Sequence, residues 1–183
     1  SDSKCAPGLA ATGGALTQYD SPPAMTIDPS ASYTATFKTN CGAISVELLA
    51  AQAPVTVNNF VFLAREGFYD EVIFHRIIAG FMLQGGDPTG TGRGSSMYPD
   101  LPAEFTDKLS FGRGTAGLAR SSSPDSGNSQ FFIMFAPGSF LNGQYTVWGQ
   151  VIDGMDKVDA ITRGEPPRNP DKMVDVYIAA DKK

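Results

Sequence analysis

Residues Val72–Asp87 leave this chain few choices of fold. They read as two short apolar runs, Val72–Ile78 and Phe81–Leu83, separated by Ala79-Gly80. Runs of that length, rich in Ile, Val and Phe and broken by Gly, predict two strands joined by a tight turn. The 20 Gly and 13 Pro of the whole chain imply many further turns, which favours a sheet or barrel over a helical bundle. Inside the runs stand His75, Arg76 and Gln84, residues that a buried strand does not ordinarily accept. A guanidinium offers five donors in a rigid fork and no acceptor. Arg76 therefore either finds a partner across the sheet, with Gln84 the nearest candidate, or presents its head to a ligand in an apolar cleft. The plainer reading is a strand-edge Arg that snorkels to water.

The rest of the chain supplies more short strands and two helices. Thr34–Phe37 and Ile44–Leu48 alternate and are β-branched, which predicts a hairpin turning at Thr39-Asn40-Cys41-Gly42. Pro54 opens a helix with Val57, Phe60, Val61 and Ala64 on one apolar face and Gly67 as its stop. A second helix is expected after Asp153 as its cap, with Met155, Val158 and Ile161 facing inward. Strands are expected at Gly117–Arg120, Gln130–Phe135, Tyr145–Ile152 and Met173–Ala179, with Trp148 in the core and Phe140–Gly143 as a tight turn. Pro88–Arg113 is a long Gly-rich segment, and such segments in compact domains are usually functional. Its Gly90-Thr91-Gly92-Arg93-Gly94 looks superficially like a phosphate cradle. It lacks the helix such a cradle must open, since Ser95-Ser96-Met97-Tyr98-Pro99 follows.

Composition narrows the function. A chain of 183 residues is most simply one domain. Its net charge of −5 argues against nucleic acid or an anionic membrane as the main partner. No apolar run approaches a membrane span. Cys5 and Cys41 are too few for a zinc site, and with a single His metal catalysis is not expected. Both cysteines lie in exposed, turn-like sequence. A disulfide between them would pin residues 1–32, an Ala-, Gly- and Pro-rich extension, to the hairpin. It would close a loop of about 36 residues and contribute roughly 3–4 kcal/mol. That reading points to a periplasmic, secreted or surface protein; the other reading is two unrelated thiols in a cytoplasmic one. The chain starts at Ser1 without Met, so a mature chain shorn of its leader is expected.

Phe74-His75-Arg76-Ile77-Ile78-Ala79-Gly80-Phe81-Met82-Leu83-Gln84-Gly85-Gly86-Asp87 resembles the signature of the cyclophilin family of peptidyl-prolyl cis-trans isomerases. Ser129-Gln130-Phe131-Phe132-Ile133 and Phe140-Leu141-Asn142-Gly143 match two further family segments in the expected order, and the resemblance spans roughly residues 33–179. It implies a mainly β fold, a closed eight-stranded antiparallel barrel capped by two α-helices, formed by residues 33–183. It also implies catalysis of rotation about X–Pro bonds in protein substrates, assisting folding, with no cofactor and no metal. The alternative is a non-catalytic proline-peptide module or a holdase chaperone. The intact set of Arg76, Phe81, Met82, Gln84 and Phe132 favours the enzyme.

Carried over residue by residue, the resemblance makes Arg76, Gln84 and Phe81 catalytic. It assigns substrate binding to His75, Met82, Ala119, Arg120, Ser121, Gln130, Phe132, Phe140, Leu141 and Tyr145. His75 is expected to support the edge of the site rather than to move protons. Phe140 stands where human-type cyclophilins carry a Trp that binds cyclosporin, so affinity for that drug should be weakened. Tyr145 replaces a pocket His. Arg120 replaces an Asn, which puts a charge beside the groove and would favour acidic residues before the proline. The expected partners are proline-containing peptides and unfolded proteins, and the expected state is a monomer.

Overall fold

The computed structural model describes Cys5 and residues 21–179. Eight strands form one sheet: β1 (Tyr33–Thr39), β2 (Gly42–Leu48), β3 (Phe74–Ile78), β4 (Met82–Gly85), β5 (Thr115–Leu118), β6 (Phe131–Met134), β7 (Val147–Asp153) and β8 (Met173–Ile178). Their order is β3-β4-β6-β5-β7-β2-β1-β8, and every neighbouring pair is antiparallel. The β1–β2 hairpin turns at Asn40-Cys41, as its sequence predicts, in register from Tyr33↔Leu48 to Thr39↔Gly42. The β3–β4 hairpin turns where Ala79-Gly80 stands, with Gly80 at φ 72°.

The sheet curls into a half-barrel rather than continuing as a ladder between β3 and β8, the expected seam of a closed barrel. Among the described residues the two ends meet at one bridge, Ile73↔Lys172, where Phe74 N–H donates to Asp171 O (2.9 Å) and Met173 N–H to Val72 O (2.9 Å). Farther along β3 the outer edge is already taken. Ile77 and Gly164 exchange both backbone bonds, at 2.8 and 2.9 Å, so the connection before β8 occupies the place a ladder would need.

Helix α1 (Pro54–Arg65) begins at its predicted proline and buries Val57, Phe60, Val61 and Ala64. It buries more than the predicted face, because its polar residues tie down distant segments. Glu104 accepts from the N–H groups of Val55 (3.1 Å) and Thr56 (2.7 Å), supplying the orphan donors of the first turn from a loop far along the chain. Helix α2 (Met155–Ala160) does not start on an Asp153 cap. Asp153 ends β7, and the cap position is Gly154 at φ 86° without a side-chain bond. A Cβ there would lie 2.4 Å from Ala43 O, so close packing of α2 on β2 dictates glycine.

The main core is aromatic. The Phe60 ring centroid lies 4.6 Å from Trp148 and 5.2 Å from Tyr69, and Phe37 lies 5.6 Å from Phe131. Trp148 is fully buried, as its sequence context predicts. A second, smaller cluster of Met82, Phe111, Phe132, Met134, Leu141 and Val147 sits apart from it. A cluster that packs without joining the core is the wall of something.

Candidate active site

The strand register lays a row of residues across the sheet. Arg76 on β3 faces Gln84 on β4, Gln84 faces Phe132 on β6, Phe132 faces Gly117 on β5, and Gly117 faces Val147 on β7. At the middle of the row Phe132 lies stacked on Phe111 (5.6 Å between centroids) and edge-on to Tyr145 (5.5 Å). Gly117 is glycine because the Phe132 ring covers it: a Cβ there would lie 2.3 Å from Phe132 Cζ and 2.8 Å from Phe111 Cε1. The result is a groove of about 540 Å³ with Phe132, Met82 and Leu141 as its apolar floor. Phe81 and Phe140 form one rim, their centroids 5.7 Å apart, and Phe140 is 69% exposed.

Arg76 stands over this floor with its side chain 45% exposed. Its Nη1 donates to Gln84 Oε1 at 3.4 Å, and Gln84 Nε2 donates to Gln130 Oε1 at 2.9 Å. Gln130 Nε2 in turn donates to the carbonyls of Gly92 (3.0 Å) and Gly94 (2.8 Å). The chain of amides has one self-consistent direction, from the guanidinium to a main-chain loop. Glu165 Oε2 lies 3.8 Å from Arg76 Nε, a partner that no sequence pattern points to.

That loop is held by Asp87, which is wholly buried. Its carboxylate accepts from the N–H groups of Thr89 (2.8 Å), Gly92 (2.7 Å), Gly94 (3.0 Å) and Thr91 (3.1 Å). The Gly-rich segment does form an anion-binding nest, and the chain's own carboxylate fills it. Burial would push the Asp87 carboxyl up, but the N–H of Gly94, the Thr89 hydroxyl and the other N–H donors outweigh it and hold it below the usual carboxylate range. Among the described residues the one group of metal-ligating side chains is Cys5, Cys41 and Asp171, and its two sulfurs are joined in a disulfide.

A family model for cyclophilin-type peptidyl-prolyl cis-trans isomerases matches residues 34–180. The chain belongs to that family. It is 48% identical to a probable peptidyl-prolyl cis-trans isomerase of Brucella suis, over 82% of this chain and 84% of that protein. A crystal structure of a Cryptosporidium parvum cyclophilin-type isomerase, obtained in the presence of the dipeptide Ala-Pro, superposes with a TM-score of 0.75 at 33% identity, covering 79% of this chain and 98% of that one. The cyclophilin AquaCyp293 of Hirschia baltica gives 0.76 at 27% identity, over 86% of this chain and 77% of that one. The protein is a peptidyl-prolyl cis-trans isomerase of the cyclophilin type.

In this cyclophilin the groove brings together Arg76, Phe81, Met82, Gln84, Ala119, Arg120, Phe132, Phe140, Leu141 and Tyr145 from the residues expected of it. Gln144, which the sequence did not flag, also lines it, and its carbonyl accepts from Arg120 Nε at 2.9 Å. Ser121 and Gln130 do not line the groove. They line an adjoining cavity of about 350 Å³ that shares Gln84, Ala119 and Arg120 with it and is walled by the Gly92–Ser95 loop.

His75 lies in neither. A register shift between Phe74 and Arg76 accompanies its turn inward, where it is 6% exposed against Gly92, and its Nδ1 has no hydrogen-bond partner among the described residues. Burial pushes its pKa below 6.5, the Asp87 charge pulls part of the way back, and Arg76 adds to the lowering. Below pH 6.5 the unfolded chain therefore binds the proton first. His75 contributes its full stability above that pH and loses it as the pH falls toward the depressed value. As this is the chain's only His, one imidazole Cε1–H resonance reports it. Its titration midpoint is expected below 6.5, with Tm declining through the same window. A midpoint at or above 6.5 would show an imidazole that water reaches freely.

Proposed function

We propose that this isomerase seats the substrate proline on Phe132, Met82 and Leu141 and uses Arg76 as the donor to the prolyl nitrogen. Rotation about X–Pro makes and breaks no covalent bond; its barrier of about 18–20 kcal/mol is lost amide resonance. In the planar amide the nitrogen lone pair is delocalised, and in the twisted state it becomes a hydrogen-bond acceptor. A donor fixed in place thus favours the transition state over both ground states. The observation that carries this reading is the cross-sheet row, which puts an amide-anchored guanidinium beside an apolar floor. Gln84 fixes the guanidinium, Phe81 and Phe140 close the rim, and Ala119, Arg120 and Tyr145 form the far wall. Gln130 acts through Gln84, while His75 packs behind the site.

Finer features belong to the same proposal. Residues 33–183 are the catalytic domain, and residues 1–32 an extension pinned by the Cys5–Cys41 bond. The seam at Ile73–Lys172 is where the half-barrel closes. The protein acts as a monomer on proline-containing peptides and unfolded proteins. It works outside the reducing cytosol, as its disulfide favours. Cyclosporin binds weakly for want of an indole N–H at Phe140. Among the described residues no helix is long and apolar enough to cross a membrane.

The floor is tested by Gly117→Ala. The added methyl must displace the Phe132 ring, because the atoms it meets are ring carbons packed on Phe111. An approximately tenfold lower kcat/KM for a proline tetrapeptide, carried by KM, is expected for overpacking of this size. A folded variant, judged by its near-UV circular dichroism, with unchanged kcat/KM would remove Phe132 from the proline site.

A further inference from the structure

The chain is acidic overall, with a net charge of −5, yet two cations beside the groove, Arg93 and Arg120, form no ion pair among the described residues. Arg76 in the groove faces Glu165 at 3.8 Å, and away from it Arg113 pairs with Asp159 at 2.6 Å and Lys172 with Glu71. Arg93, on the wall of the adjoining cavity, is exposed, and among the described residues its guanidinium has no carboxylate partner. Arg120, shared by the two cavities, donates to the carbonyls of Gln144 (2.9 Å) and Ser121 (3.0 Å) and lies 4.6 Å over the Tyr145 ring. Those contacts fix its position without neutralising it. The one acid on the cavity wall, Asp100, accepts from Asn128 Nδ2 at 3.1 Å. The Arg93 loop is itself set by the Asp87 nest and by Gln130, so this charge is carried on an ordered frame. Serine hydroxyls, including that of Ser126, complete the lining.

We infer that the adjoining cavity is a subsite for a carboxylate side chain, so that the enzyme selects prolines with Asp or Glu nearby. The acidic residue lies within about three positions of the proline, on the side of the chain that passes over Gln84, Ala119 and Arg120, since an extended strand advances roughly 3.3 Å per residue. This rests on the assignment of the proline to the groove. Arg93 and Arg120 supply the attraction, and the low-dielectric wall beside them focuses it. Neutral peptides enter the same groove but leave the cations hydrated.

The experiment compares hexapeptides carrying Glu, Gln or Lys at each position flanking a single proline. At one or more positions on one flank, kcat/KM for Glu over Gln is expected at about fivefold in low salt, falling toward one near 0.5 M salt, with Lys below Gln. In Arg93→Gln the same ratio should shrink, and because it is internal to each variant it is insensitive to the amount of folded protein. A ratio of one at every position overturns the inference, as does a preference that neither salt nor Arg93→Gln alters, which would reflect shape. Turnover of the Gln peptides separates the two levels: turnover without preference strikes this subsite alone, whereas no turnover strikes the groove assignment beneath it.

Discussion

Arg76→Ala should lower kcat/KM for a proline-containing tetrapeptide by about two to three orders of magnitude, the usual cost of deleting one preorganised donor to a transition state. The loss should fall on kcat, because the apolar floor of Phe132, Met82 and Leu141, the proposed seat of the proline, is untouched. Stability should change little. The Arg76 side chain is 45% exposed and its bonds are a long one to Gln84 (3.4 Å) and a loose ion pair with Glu165 (3.8 Å). Arg76→Lys should recover little of the rate. An ammonium on a flexible stem cannot hold Gln84 and offer a second, planar donor to the substrate at the same time. Peptide relaxation followed with each variant, alongside peptide affinity by titration, separates the outcomes. A loss under tenfold, or one confined to KM, would mean that the guanidinium only binds and that distortion on the apolar floor performs the rotation.

How far the sequence disclosed this site depends on which forces placed each residue. Arg76 and Gln84 were legible because an Arg among Ile and Phe in a strand needs an explanation, and the hairpin signalled by Gly80 brings the two face to face. Phe132, Met82 and Leu141 were legible only through the family resemblance. By composition a groove floor is indistinguishable from a core, and the separation into two clusters is a tertiary fact. His75 stayed hidden because a register shift and a neighbour from a distant loop, Gly92, decide where it points. The Asp87 nest was half visible. The glycines suggested an anion site, but nothing in one dimension says that the anion is a side chain of the same loop. The misread start of α2 and the seam between β3 and β8 share a cause. The start of α2 is set by the closeness of Gly154 to Ala43 O, and the open seam by the capture of the β3 edge by Gly164. Each is a long-range contact that no local propensity encodes.

Breaking the Cys5–Cys41 bond is the change expected to cost the most stability while sparing activity. The bond spans 36 residues with its Cα atoms 4.8 Å apart, an ordinary separation for a disulfide. Closing a loop of that length removes unfolded-state entropy equivalent to about 3–4 kcal/mol. In a chain of this size that corresponds to a Tm lower by roughly 10 °C on reduction, or in Cys5→Ser. The hairpin it is tied to has its own supports: Cys41 N–H donates to Thr39 Oγ1 (3.0 Å), and Thr39 Oγ1 to Gly42 O (2.7 Å). The β1–β2 turn should therefore keep its form when the bond is cut. The groove is built on β3, β4, β6 and β5, at the other end of the strand order from β1, so kcat/KM at 25 °C should stay within about twofold. A Tm unmoved by reductant would mean that the unfolded chain gains nothing from release of the tail, and the bond would then be incidental. A fall in Tm with activity intact would mean that the fold draws its margin from an oxidised pair. A reducing compartment would withdraw that margin, which ties the stability of this isomerase to the environment in which it meets its substrates.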